Sequence, residues 1–243
     1  MKKYPAYLVI FLAYLFSSVS LVLFATFCYA GSFHLVRLGL DATGILFFDL
    51  CLSLVFFLQH SIMVRKSFRL HLSRFVPEAY MSAVYAIFSG IALFVVIVLW
   101  QESSGALTSA RGAFRLTLRA IFAASIGGFY WGARALSFFD PFGVREILNH
   151  LHGRNPKGTP LSIKGPYRFV RHPLYFFVII MIWSCPDLTL DRLLFNVLWT
   201  AWIYIGAFLE ERDLETDFGE AYRKYKRKVP MIIPWRINRS WPE

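Results

Sequence analysis

From Pro5 to Ala30 no side chain carries a charge, and the run is long enough to cross about 30 Å of hydrocarbon as one α-helix. Three further apolar runs follow at residues 40–59, 79–100 and 116–139, the last interrupted by Arg119 and Arg134. Beyond His172 two shorter runs, 174–185 and 193–209, flank the sequence PDLTLD at 186–191 and read as a tight helical hairpin packed against the others. Each of the two is marginal for spanning on its own. The pattern predicts an all-α, multi-pass transmembrane bundle of about six helices, the last two a short hairpin. With 57% hydrophobic and 17% charged residues, the chain falls outside the range of ordinary soluble domains. The first run is too long for a cleaved leader and is followed by more spans, so it reads as a retained helix.

The 26 Lys and Arg give a net charge of +11, a value that by itself suggests nucleic acid. Their placement argues otherwise, because they concentrate at the N-terminus and in residues 61–78, 140–172 and 210–243, on alternate connections. By the positive-inside rule these segments are cytosolic, with both termini inside. Basicity then reports topology and contact with the membrane surface, with no nucleic-acid partner. Cys28, Cys51 and Cys185 lack paired spacing and frame neither disulfides nor a metal site.

Residues 165–176 read GPYRFVRHPLYF. Pro173 suits the first position of a helix, where its missing N–H costs nothing, and His172 becomes the N-cap. The open N–H groups of that turn, the positive end of the helix dipole, Arg171 and Arg168 then converge on one anionic group such as a carboxylate or phosphate. Tyr167 and Tyr175 bring rings and hydroxyls to the same place. A plainer reading is that these cations mark the cytosolic interface and touch lipid headgroups.

Glu210 and Glu211 stand where the last apolar run ends, and carboxylates beside hydrocarbon need a cation or water. A ligand ammonium or ribose hydroxyls would serve. Equally, the acids at 210–220 and bases at 223–228 suit a solvated helix aligned with its own dipole. Leu209, Leu214, Phe218, Tyr222 and Tyr225 recur at helical spacing and predict one face laid on the membrane domain. His60, at the end of the second run, is by type more often an interfacial residue than a ligand. Asp49 lies mid-helix, where an ionised carboxylate costs about 2.5–3.5 kcal/mol, so it should face the interior with Arg119 or Arg134 as partner. The chain has no GxG, HExxH, P-loop or GxSxG, which removes dinucleotide, zinc-protease, nucleotide-triphosphate and serine-hydrolase readings.

GPYRFVRHPLYF, then LEERD, then FGEAYRKYKRKVPMIIP together resemble the isoprenylcysteine carboxyl methyltransferase family of membrane enzymes, over about residues 140–234. LQHSIMVRKSFRLHLSRFVP, DPFGVREILNHL and EERDLETDFGEAYRKYKRKVPM look like its bacterial methanethiol S-methyltransferase branch. The resemblance implies a multi-pass protein of the bacterial inner membrane that binds S-adenosyl-L-methionine and methylates a small or lipophilic thiol. It divides the chain into N-terminal membrane helices (1–139) and a cofactor-binding hairpin with a cytosolic tail (140–243), integrated as one domain. On matching positions Arg171, His172, Pro173 and Tyr175, with Tyr167 beside them, would receive the methionine end. Glu210 and Glu211 would hold polar or cationic parts, and Tyr222 and Tyr225 would close the pocket. Arg171 and His172 are the catalytic candidates and His60 and Asp49 the substrate-side candidates. Two departures stand out. Phe177 replaces a common glycine, implying a bulkier wall, and residues 205–209 (IGAFL) lack the arginine that would match a carboxylate substrate. A carboxyl or amine methyltransferase of a lipid-type substrate is the nearest alternative. A haem protein of NnrU type, with His60 or His172 as axial ligand, belongs to a different class.

Overall fold

The computed structural model describes residues 4–136, 140–154 and 161–235. Nine helices occur among them: α1 Tyr4–Ala30, α2 Ala42–Val64, α3 Lys66–Leu72, α4 Met81–Leu99, α5 Gly112–Ala135, α6 Val144–Leu151, α7 Pro173–Trp183, α8 Leu190–Phe218 and α9 Glu220–Lys228. Short 3-10 turns occupy Glu78–Tyr80 and Gly165–Arg168, and two strands, β1 Ala106–Ser109 and β2 Asp187–Thr189, form a two-stranded sheet. The all-α expectation holds.

Among the described residues four helices are long and apolar enough to cross a membrane: α1 from Pro5, α2, α4 with its preceding turn, and α8. The fourth and the last of the predicted runs differ from the first three. The fourth run, whose residues 137–139 lie outside the described set, falls on α5. That helix carries Arg115, Arg119 and Arg134 and is not among the four. The last run does not stop at Leu209. α8 continues through Glu210 and Glu211 to Phe218, 29 residues in one helix or about 44 Å, so the second arm of the hairpin is long. α7, with 11 residues, reaches only about 16 Å.

The chain divides into two compact units. The first comprises residues 1–107, 140–158 and 189–195. Here α1 packs on α4 through small residues, as membrane helices do when close backbone approach supplies their packing energy. A Cβ at Gly90 would sit 2.8 Å from the Phe16 carbonyl carbon, and Ser17 Oγ donates to the Ala86 carbonyl at 3.1 Å. Ala6, Ala13, Ala83 and Ile147 are fully buried at this seam. α6 is brought to it by a sharp start: Gly143 adopts φ 66°, and the Asp140 carboxylate accepts the N–H groups of Val144 and Arg145. At another edge of the unit Arg192 Nη2 donates to the Phe27 and Cys28 carbonyls of the last turn of α1, with its guanidinium 4.5 Å from the Phe27 ring. Beside it the Asp191 carboxylate accepts from Trp100 Nε1, Ser103 N–H and Ser103 Oγ.

The second unit comprises residues 108–139, 159–188 and 196–243. α5 packs on α7, and glycines make the approach possible: a Cβ at Gly132 would lie 2.8 Å from Leu174 Cδ2, and one at Gly128 would overlap the Phe177 ring. Asp187 joins Arg115 in a two-pronged pair at 2.9 and 2.8 Å and accepts the Ser109 hydroxyl, tying the start of α5 to the strand after α7.

Candidate functional site

The second unit gathers nine of the predicted site residues: Tyr167, Arg171, His172, Pro173, Tyr175, Glu210, Glu211, Tyr222 and Tyr225. Pro173 is the first residue of α7 and His172 its N-cap, as the sequence requires. The backbone N–H groups of Arg171 and His172 are spent on the Pro230 and Met231 carbonyls, at 2.9 and 3.0 Å. The segment after α9 therefore lies against the approach to α7, a contact that no motif or periodicity announces.

The two electrostatic poles meet directly. Arg171 Nε donates to Glu211 Oε1 at 2.6 Å, both side chains being nearly inaccessible, and Arg171 Nη1 also reaches the Lys226 and Val229 carbonyls at the end of α9. Lys226 Nζ stands 3.3 Å from Glu211 Oε2 and 2.6 Å from Glu215 Oε1. The anionic group that Arg171 faces is thus a residue of α8. Lys226 was not foreseen, because its place in a run of bases suggests only a solvated face.

His172 lies between the acids, Nε2 at 3.4 Å from Glu211 Oε1 and Nδ1 at 3.7 Å from Glu210 Oε2, and stacks on the Tyr175 ring with planes 9° apart. Its Nε2 is buried and without a hydrogen bond. Tyr175 donates its hydroxyl to Glu210 Oε2 at 2.8 Å. Glu210 is the open member of the cluster, its side chain 46% exposed against 2% for Glu211.

Tyr222 and Tyr225 are buried with Val229 against Leu161, Ile163, Leu214 and Phe218; because α8 ends at Phe218 and α9 begins at Glu220, the residues predicted as one helical face are divided between two helices, and Leu214 and Phe218 pack against the tyrosines. Tyr225 donates its hydroxyl to the Tyr167 carbonyl at 2.6 Å. Burial pushes the Tyr222 and Tyr225 hydroxyls well above the ordinary phenol range, and burial with the Glu210 charge does the same to Tyr167. All three remain neutral at physiological pH and offer hydrogen bonds, not bases. The Glu215 and Glu211 carboxylates raise the Lys226 ammonium in turn, keeping it charged.

Asp49 and His60 belong to the first unit. Asp49 is fully buried and accepts the Gln101 N–H at 3.1 Å, whereas the expected partners Arg119 and Arg134 belong to the second unit. His60 meets the Tyr85 hydroxyl, Nε2 at 2.6 Å. Positions 49 and 60 are 11 residues apart on α2, about 16 Å of helix, so one small ligand does not touch both. Among the described residues no group of three or more His, Cys, Asp or Glu is arranged to hold a metal ion.

Chemically, the second unit presents buried opposite charges, an imidazole without a hydrogen bond on Nε2, a stacked phenol and one accessible carboxylate at the start of an apolar helix. Comparison with known proteins bears on what such a cluster serves. The chain is 32% identical over 239 residues, 93% of its length and 83% of the relative's, to methanethiol S-methyltransferase 1 of Bradyrhizobium diazoefficiens. It is 35% identical over 189 residues to a methanethiol S-methyltransferase of Pseudomonas sp. (77% of this chain, 73% of the relative). It is 34% identical over 202 residues to one of Crocosphaera subtropica (80% and 77%). No family model and no solved structure matches it.

Proposed function

The chain belongs to the methanethiol S-methyltransferase family, and from that premise we propose that it transfers the methyl group of S-adenosylmethionine to a small thiol, methanethiol first among them, at the cluster of α7, α8 and α9. It is a membrane thiol methyltransferase. One observation carries the placement of the site: Arg171, His172 and Glu211 are each less than a tenth exposed, and Glu210 opens the same cluster to its surroundings. Burying even paired charges is costly, and a cluster of buried ionisable groups with one open carboxylate is a functional-site candidate on that ground.

The residues present fit the donor. It carries a carboxylate, an ammonium, ribose hydroxyls and a sulfonium; the cluster offers the positive N-terminal end of α7 for the first, Glu210 for the positive groups, and the Tyr175 ring as a flat apolar surface. The donor supplies an electrophilic methyl group when bound. What this chain supplies is position and potential. In-line transfer requires the thiol sulfur held about 3–3.5 Å from the methyl carbon, and a site at the start of an apolar helix excludes water from that approach. The positive potential of Arg171, with His172 when protonated, favours the thiolate over the thiol, the form that attacks.

In this reading α5 and α7 also lie in the membrane, and the cations of residues 61–78, 140–172 and 210–243 support a cytosolic site with both termini inside. The absence of an arginine in 205–209 favours a thiol over a carboxylate acceptor.

The test is to give membranes containing the protein isotope-labelled S-adenosylmethionine with methanethiol, a longer alkanethiol, an isoprenylcysteine or a phospholipid amine, and to follow the label. The expected product is a volatile methyl thioether. Label in a methyl ester or a lipid amine, with none in thioether, overturns the thiol assignment.

A further inference from the structure

The two adjacent carboxylates at 210 and 211 occupy different surroundings. Both oxygens of Glu211 are held from within the protein, Oε1 by Arg171 Nε at 2.6 Å and Oε2 near Lys226 Nζ at 3.3 Å. Arg171 in turn holds more than Glu211: its Nη1 donates to both the Lys226 and Val229 carbonyls, and its backbone N–H donates to the Pro230 carbonyl. One guanidinium therefore ties together the entry to α7, the middle of α8, the end of α9 and the strap that follows it. Val229 and Ile232 of that strap are buried at 3% and 2% exposure. Glu210 has the Tyr175 hydroxyl at 2.8 Å and a distant His172, and is nearly half exposed.

We propose that Arg171, Glu211 and Lys226 are positioning residues, a clasp that fixes the strap of residues 229–232 across the start of α7, and that donor contact falls to Glu210 and Tyr175. A ligand ammonium that took Glu211 would leave Arg171 buried without its counter-charge, the costliest way to break such a pair. To meet Glu210 it has only to replace one exposed phenol hydroxyl. Arginine is required at 171 because its planar fork reaches a carboxylate and two carbonyls at once, which a lysine ammonium does not match. The clasp explains why the cations and acids read from the sequence as a ligand site turn toward each other. The inference rests on the placement of donor binding at this cluster.

The experiment uses the full chain in lipid nanodiscs without added donor and follows chymotryptic cleavage after Tyr222 and Tyr225, both buried while the clasp is closed. Glu211→Gln and Arg171→Met should each speed cleavage about tenfold, and the double variant no more than either, because the two act as one unit. Glu210→Gln should leave cleavage at the wild-type rate while raising the donor KM about tenfold. Lys226→Met, at a half-exposed position that folding tolerates, should speed cleavage a few-fold and lower kcat with the donor KM within about twofold. The proposal is overturned by additive cleavage effects in the double variant. It is also overturned if Glu211→Gln or Lys226→Met raises the donor KM while cleavage stays at the wild-type rate. Cleavage is read without turnover, so loss of the thiol-methylation assignment leaves this result standing and the two failures separate.

Discussion

The ring of Phe177 on α7 fills the space that a side chain at position 128 on α5 would need. The bulky residue that departs from the family pattern therefore presses on a neighbouring helix, and Gly128 is the notch that accepts it. Gly128→Ala should destabilise the protein by about 1–3 kcal/mol, the usual cost of overpacking. In a Phe177→Ala background the same change should become neutral or favourable, because alanine is the better helix former by about 1 kcal/mol. Thermal unfolding of the four proteins in detergent measures the cycle, and equal effects in both backgrounds would show that the ring and the notch are uncoupled.

Tyr225 and Glu220 lie on the same short helix yet should respond oppositely to substitution. The Tyr225 hydroxyl is buried and donates to the Tyr167 carbonyl, so Tyr225→Phe orphans a buried acceptor and should cost about 1 kcal/mol. Glu220 pairs with Arg223 and Arg227 in full contact with solvent, and Glu220→Gln should leave the unfolding midpoint where it was. A loss from Glu220→Gln as large as that from Tyr225→Phe contradicts this ordering.

Much of the architecture was legible because apolar length is written residue by residue: α1, α2 and α4 fall on the first three runs, and Pro173 marks the start of α7 as its fixed φ demands. The extent of α8 was not legible, since Glu210 and Glu211 look like an exit from the bilayer until Arg171 and Lys226 are seen beside Glu211. Partners distant in sequence, such as the Gln101 N–H beneath Asp49, arise where a helix ends, and α4 ends at Leu99 without a sequence signal that names Asp49. The residues of the cluster were legible as types. Their pairing depends on the strap after α9, which no periodicity announces.

Asp187 provides a pH test. Its hydrogen bonds from Arg115, with the Ser109 hydroxyl and the Arg115 and Arg119 charges, hold its carboxyl below the usual value of 3.8. A depressed folded-state pKa contributes stability that is present above the unfolded value and is lost as pH falls through the folded one. The unfolding midpoints of wild type and Asp187→Asn should therefore differ at pH 6 and converge below about pH 4. Both partners are 40% exposed, so the difference should be small and shrink at high salt. A gap that widens on acidification contradicts the assignment.

Asp49 decides between a structural and a substrate-side role for the buried acid of α2. It has no accessible surface, Oδ1 accepts the Gln101 N–H, and Oδ2 is buried without a hydrogen bond. An ionised carboxylate so placed in a membrane helix is unfavourable, whereas its acceptor oxygen is useful because it satisfies the first N–H beyond the turn that ends α4. Asp49→Asn keeps that acceptor and removes the charge, so its unfolding midpoint should equal or exceed that of wild type, with thiol methylation retained within about threefold. Asp49→Leu strands the Gln101 N–H and should cost about 1–3 kcal/mol. If Asp49→Asn instead folds as well as wild type but loses methylation by a factor of about a hundred, the charge acts on the reaction and the structural account of this residue fails.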